Sequence, residues 1–407
     1  MLNRSMKILQ INSTLNWGST GRIAEDIGKV IINERGESYI AYGRYTNSTQ
    51  SKPIKIGNNW DIYYHVLQTR LFDRHGLSSK KATKRFVEKI KEINPDIIHL
   101  HNIHGYYLNY PILFKFLSSS NIPIVWTLHD CWAFTGHCSY FSFVKCNRWK
   151  INCFKCSQKM NYPTSYLYDC SKDNYLIKKN YFTSLKNLTI VPVSKWLGNL
   201  VAESFLNKFP INIIHNGIDV DVFRPLYSNQ KVYIPKNKFI ILGVASIWEK
   251  RKGLDDFIRL QKHLSQDYII ILIGLTKTQI KNLPIGIMGV ERTNSLQELA
   301  AFYSSADVFF NPTWEDNFPT TNLEALACGT PVITYRTGGS PEAIDENTGF
   351  VVEQGDLKEA IHAINQIKLV GKATYTQACR ERAIKYFNKE DRYSEYLQLY
   401  KEILKNK

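Results

Sequence analysis

The sequence predicts an α/β protein built from two successive doubly wound units. Short apolar strands alternate with amphipathic helical stretches along nearly the whole chain, and the strand series restarts near the middle. Its 407 residues suit about two or three domains. A composition of 44% hydrophobic and 22% charged residues is ordinary for a globular protein, which excludes disordered, collagen-like and low-complexity readings.

In order, the strand candidates of the first unit are residues 7–12, 38–42, 96–101, 123–129, 189–193 and 212–215. Each is a short apolar run bounded by polar turn residues. Helical patterns separate them, as in 21–33, where Ile23, Ile27, Val30 and Ile31 share a face. The second series is 239–245, 268–274, 286–290, 307–311 and 331–334, again with helices between. The join falls after Asn216-Gly217, in a polar stretch (219–237) that contains Pro225 and Pro235, dividing the chain into 1–217 and 218–388. A last helix, 389–407, has no strand to follow it and is expected to cross back onto the first domain. Residues 131–163 break the alternation. They form an insert too long for a strand–helix connection, rich in Cys, aromatic and basic residues.

Charge is unevenly spread. Residues 1–217 carry 28 basic and 13 acidic side chains, whereas residues 218–407 carry 24 and 23. The cationic half is expected to face something anionic: nucleic acid, a membrane surface or a phosphate-bearing substrate. Residues 1–6 do not read as an export signal, and no apolar run approaches the ~20 residues of a membrane span. The expected location is therefore cytoplasmic, soluble or peripheral at the inner face of the membrane. Six of the eight cysteines lie between Cys131 and Cys170. Without export, a disulfide framework is disfavoured against metal ligands or packed thiols.

The segment from Asp316 to Val332 is the most informative in the chain. It follows a strand, opens a helix at Pro319 and Thr320 just after Phe318, and closes it at Gly329. Asp316 and Glu324 stand eight apart, with Glu315 just before the first. Carboxylates so placed accept hydrogen bonds from a polyol, while the helix N-terminus offers N–H groups to a phosphate. Isolated acids on a capped helix would mean little; the whole run is far more specific. Gly18-Ser19-Thr20-Gly21 does not spell G-x-G-x-x-G, and reads either as a plain turn or as a backbone contact to phosphate. His129-Asp130 ends a strand at the edge where α/β ligands bind, whereas His99, His101 and His104 read as packing or cleft lining. Cys138, Cys146, Cys153 and Cys156 give C-x(7)-C-x(6)-C-x(2)-C. They read either as a four-thiolate structural zinc site or as reduced, buried thiols.

The run 316–332 resembles the E-x(7)-E motif of the family 4 retaining glycosyltransferases, which ends in A-x-G-x-P-V, here Ala327 to Val332. Asn216-Gly217-Ile218-Asp219 with Phe223-Arg224-Pro225 resembles the family's N-G-I-D…F-x-P segment, and Arg336 to Glu342 its t-G-G-x-x-E turn. The resemblance spans nearly the whole chain. It implies two Rossmann-like domains facing across a cleft (GT-B), the first on the acceptor side and the second binding the nucleotide sugar. By resemblance Glu324 binds ribose hydroxyls, and Asp316 or its neighbour Glu315 holds the transferred sugar. His129 contacts that sugar, and Gly18 and Gly21 contact phosphate or acceptor. Lys252 neutralises the donor diphosphate. The usual Arg six residues before that lysine is Ser246 here, so Arg251 or Lys250 substitutes, or the three basic residues are a solvated loop. Some capsule-type members share the pattern His129 to Cys138 followed by a cysteine cluster.

The implied reaction is retaining transfer from a UDP- or GDP-sugar to a saccharide acceptor, such as a polyprenyl-diphosphate-linked one, in capsule or exopolysaccharide synthesis at an anionic membrane surface. No cofactor is expected for catalysis, and no nucleic acid partner. The alternatives are a sugar-nucleotide epimerase on the same fold and a nucleic-acid-binding protein using the basic half.

Overall fold

The computed structural model describes residues 5–226 and 237–406, so the stretch 227–236 of the expected join lies outside the described residues. The chain divides into two compact units: residues 1–214 with 393–407, and residues 215–392.

Along the first unit run β1 (Lys7–Asn12), α1 (Gly18–Asn33), β2 (Glu37–Tyr42), β3 (Lys52–Lys55), α2 (Asn59–Phe72), α3 (Lys80–Ile93), β4 (Ile97–Leu100), α4 (Tyr110–Ser119), β5 (Ile124–Leu128), α5 (Ser171–Thr183), β6 (Leu188–Pro192) and α6 (Lys195–Ala202). The sheet order is β3-β2-β1-β4-β5-β6, all parallel. Its inner strands are buried on both faces, which is why they read as continuous apolar runs. β3 was not among the expected strands. Lys52-Pro53-Ile54-Lys55 reads as polar, and its proline is tolerated because the strand lies at the sheet edge. The expected strand 212–215 is instead an extended segment joined by a single bridge, Ile190 to Ile211. Ile214 N donates to Pro192 O, but Pro192 has no N–H to return and the ladder stops.

The insert between β5 and α5 has two short 3-10 turns, Trp132–Phe134 and Arg148–Lys150. Its shape comes from a small aromatic core: Phe134, Phe141 and Trp149 pack with ring centroids 5.0–6.2 Å apart. Lys178 of α5 reaches under it, 3.5 Å from the Trp132 ring centre, and donates to the Trp132 and Thr135 carbonyls.

The second unit holds β7 (Phe239–Val244), α7 (Leu254–Gln261), β8 (Tyr268–Ile273), α8 (Lys277–Lys281), β9 (Ile287–Val290), α9 (Leu296–Ser305), β10 (Val308–Asn311), α10 (Thr320–Ala327), β11 (Val332–Tyr335), β12 (Gly349–Val352), α11 (Leu357–Val370) and α12 (Ala373–Phe387). Its order, β9-β8-β7-β10-β11-β12, repeats that of the first sheet. The short edge strand β12 was also not foreseen. Around this sheet Ile241, Phe257, Leu272, Phe310 and Ile333 form a continuous core.

The last helix, α13 (Lys389–Lys405), belongs to the first unit from Tyr393 onward. Tyr393, Tyr396, Leu397 and Tyr400 bury against Ile8, Ile27, Ile97 and Val125. In both sheets the strand order reverses between the first and fourth strands of the unit. Loops leaving the carboxyl ends of β1 and β4, and of β7 and β10, therefore border the crevices where open α/β sheets bind ligands.

Candidate active site

In the second unit the loops after β7 and β10 are clamped together. Trp314 N donates to Arg251 O at 2.7 Å, and Trp314 Nε1 donates to Asp256 Oδ2 at 2.6 Å. The close approach needs glycine. A Cβ at Gly253 (φ +78°) would lie 2.2 Å from the Pro312 carbonyl oxygen, and one at Gly338 (φ +55°) 1.7 Å from that of Asp316. The result brings Lys252 Nζ onto Asp316 Oδ2 in a part-buried ion pair. Glu315 is turned inward and buried, and its backbone oxygen accepts from Arg251 Nη1 and Thr313 Oγ1. Arg251 also pairs with Glu249, and Ser246 is exposed.

Glu324 sits in the second turn of α10 and accepts a hydrogen bond from Tyr303 OH at 2.8 Å. Pro319 is the N-cap and Thr320 the first helical residue. Phe318 is buried, 4.8 Å from the His215 ring. Asn311 donates to Asn322 Oδ1, Asn322 donates to Ser340 Oγ, and Ser340 pairs with Thr334. This network ties the first turn of α10 to the loop after β11. Tyr303 and Asn322 escaped the sequence reading. Tyr303 lies outside the motif, and Asn322 within it reads as one more polar helix residue.

In the first unit, Gly18–Gly21 form the first turn of α1 rather than a turn before it. Trp17, the N-cap, provides no side-chain hydrogen bond, so the first-turn N–H groups are not capped by a side chain. Gly21 packs closely, since a Cβ there would lie 2.8 Å from Thr14 Oγ1. His129 follows β5, part-buried, with Nε2 3.1 Å from His101 Nδ1. Burial pushes its pKa down to about 4, which leaves the ring neutral at pH 7.

His65, His75, His99 and His101 are buried too, and burial pushes all four down, His65 to about 3. Their folded pKa values lie below the unfolded value of 6.5, so the unfolded chain binds more protons between the two. Stability is complete above pH 6.5 and falls below it by about 1.4 kcal/mol per pH unit for each histidine. The thermal midpoint should drop steeply from pH 6.5 to pH 5; a flat profile over that window would contradict neutral burial.

Cys138, Cys146, Cys153 and Cys156 line one small cavity with His137, and all eight cysteines are free thiols. Among the described residues no three His, Cys, Asp or Glu side chains are arranged to hold a metal ion.

Two family models match the chain, "Glycosyltransferase Family 4" over residues 46–222 and "Glycosyl transferases group 1" over residues 238–368. The chain belongs to the family 4 glycosyltransferases. That membership decides for a transferase over the epimerase and nucleic-acid-binding alternatives. A relative along most of this glycosyltransferase is a putative colanic acid biosynthesis glycosyl transferase of Escherichia coli K12, 24% identical over 88% of this chain and 89% of its own. The alpha-galactosylglucosyldiacylglycerol synthase of Streptococcus pneumoniae is 26% identical over 45% of this chain and 52% of its own. Among solved structures, a sucrose-phosphate synthase of Thermosynechococcus elongatus superposes with a TM-score of 0.71 at 17% identity, covering 99% of this chain and 100% of that one. Anabaena HepE with bound UDP gives 0.65 at 14%, covering 97% and 99%. The fold is GT-B.

Proposed function

We propose that this glycosyltransferase moves a sugar, with retention, from a UDP- or GDP-sugar to a lipid-linked saccharide acceptor in surface polysaccharide synthesis. The observation that carries the reading is the Lys252–Asp316 pair, one acid and one cation held at the switch point of the second sheet. Glu324 is the ribose acceptor, and Lys252 with Arg251 faces the diphosphate. An arriving diphosphate competes for the Lys252 ammonium and frees the Asp316 carboxylate to accept from sugar hydroxyls. The bond from the anomeric carbon to the diphosphate breaks, the acceptor oxygen bonds to that carbon, and its proton passes to the departing diphosphate. Preorganised cations stabilise the charge that develops there.

The UDP and UDP-glucose complexes of HepE support the donor class, and the colanic acid relative supports the polymer class. A thermal-shift panel tests the donor reading. UDP or GDP at 100 times its Kd should stabilise by about 2.7 kcal/mol, and NAD or oligonucleotides should not. Stabilisation by NAD or oligonucleotides alone would contradict it.

Lipid-linked acceptors imply contact with a membrane. Among the described residues no helix is long and apolar enough to cross one, so a surface is needed. The insert's Trp132 and Trp149 are buried and pack internally. Helix α2 presents an alternative. Trp60, Tyr63, Tyr64 and Leu67 fall at i, i+3, i+4 and i+7, are 50–79% exposed, and lie opposite the buried His65 and Thr69. Arg70 and Arg74 are exposed at the helix end, within the half that carries the basic excess. Aromatic rings seat at headgroup level, and each nearby basic residue adds about 1 kcal/mol on an anionic leaflet. Binding to anionic vesicles should be salt-sensitive and should weaken in a Trp60→Ser, Tyr64→Ser variant. Equal partitioning onto neutral vesicles, or none at low salt, would contradict a membrane role.

A further inference from the structure

Loops leaving β1, β2 and β4 meet at the carboxyl edge of the first sheet, beside its switch point between β1 and β4. The Gly43 and Arg44 N–H groups donate to the Ser13 carbonyl oxygen at 3.3 and 3.0 Å, which ties the first two loops together. Gly105 of the third loop lies against them. A Cβ there would stand 2.9 Å from Ser13 Cβ, 3.6 Å from Arg44 Nη2 and 3.7 Å from Ser13 Oγ. A guanidinium and a hydroxyl thus border one spot that glycine keeps free of a side chain.

Arg44 is half-buried, whereas the other described arginines of the first unit are exposed. Its guanidinium lies over two rings, with Cζ 5.6 Å from the centre of Tyr45 and 5.6 Å from that of Tyr106. Trp17 in turn packs on Tyr45, with ring centroids 4.6 Å apart. Ring faces attract the cation but leave its in-plane N–H groups without acceptors. Among the described residues the guanidinium has no ion pair and no hydrogen bond, and its Nε is buried. The Ser13 side chain makes no hydrogen bond among them either, on a residue only 7% exposed. Polar groups this deep persist with partners, and arginine keeps its charge throughout the accessible pH range. Such a donor pair suits an oxygen anion.

We propose that Arg44 and the Ser13 hydroxyl bind a phosphate group of the acceptor, in the diphosphate that joins its saccharide to the lipid. That the phosphate belongs to the acceptor rests on the function proposed above; that the site takes an oxygen anion does not. The guanidinium offers a planar fork of N–H groups that matches two phosphate oxygens, and the serine hydroxyl donates to one of them. The two tyrosine rings fix the fork before the anion arrives, so little side-chain freedom is lost on binding. The charge of this half, 28 basic against 13 acidic side chains through residue 217, draws anions toward it.

Side-chain NMR of the full-length, ¹⁵N-arginine-labelled protein tests the anion site, with the Arg44 Nε–H signal assigned by its loss in Arg44→Gln. Inorganic diphosphate is titrated into the Lys252→Ala variant, which lacks the diphosphate partner proposed in the second unit. The Arg44 signal should shift saturably, and adding Ser13→Ala should weaken the binding about two- to tenfold. With Lys252 in place, Arg44→Gln should raise KM for a polyprenyl-diphosphate-linked saccharide mixture about ten- to a hundredfold, with kcat and UDP affinity little changed. Arg44→Lys, which keeps the charge but not the fork, should recover part of that loss. An Arg44 signal unmoved by diphosphate overturns the anion site. A UDP affinity that falls in Arg44→Gln assigns the phosphate to the donor and overturns the proposal. A shifted signal with unchanged acceptor KM would uphold the anion site and remove the lipid-diphosphate acceptor from the function proposed above.

Discussion

Glu324→Ala should abolish measurable transfer chiefly by lowering donor affinity. A carboxylate accepting from both ribose hydroxyls makes two charge-assisted hydrogen bonds, each worth about 1.5–3 kcal/mol. Losing both predicts a 10²- to 10⁴-fold rise in donor Kd, on the order of 3–6 kcal/mol. The Tyr303 hydroxyl already donates to one oxygen of this carboxylate and fixes its orientation. Tyr303→Phe should therefore weaken binding far less, since the carboxylate itself remains. Calorimetry on both variants checks this. Unchanged donor affinity in Glu324→Ala would remove it from the ribose site.

Lys252→Ala should lower kcat by about 10²–10³, the usual cost of removing one preorganised charge-stabilising group. Asp316→Asn should lower kcat with only modest loss of nucleotide affinity, because the partner proposed for it is the sugar. The two side chains are paired before donor arrives, so their effects should not add, and the double variant should fall short of the product of the singles. Glu315→Gln should act mainly on stability, given its burial. If Glu315→Gln lowers turnover more than Asp316→Asn does, the roles of the two acids are reversed. A chelator in the same assay should leave the initial rate intact if, as proposed, protein cations alone neutralise the diphosphate. Prompt loss restored by Mg²⁺ would contradict that assignment.

The apolar runs of β1, β4, β5, β7, β8 and β10 were readable because strands buried on both faces leave little room for polar residues. Of the four edge strands, β6 and β9 were readable but β3 and β12 were not: β3 is polar and mostly exposed, and β12 is only four residues long and opens on a glycine. The acids at 315, 316 and 324 were visible as a spacing. Which of the first two meets Lys252 was not, because it depends on the Gly253–Pro312 and Gly338–Asp316 approaches between loops some 60 and 20 residues apart in sequence. The cysteine spacing was compatible with a metal site and with packed thiols alike, and it carried no sign of the aromatic core around Trp149.

The most direct test of the account is a single incubation. Purified protein is given a panel of UDP- and GDP-sugars with a polyprenyl-diphosphate-linked saccharide mixture. Released nucleotide is followed by mass spectrometry, and the anomeric configuration of the product by NMR. The account predicts that one sugar nucleotide is consumed with release of UDP or GDP, that the product keeps the donor's anomeric configuration, and that Glu324→Ala does neither. Release of nucleotide with an inverted product, or equal release by wild type and Glu324→Ala, would contradict it.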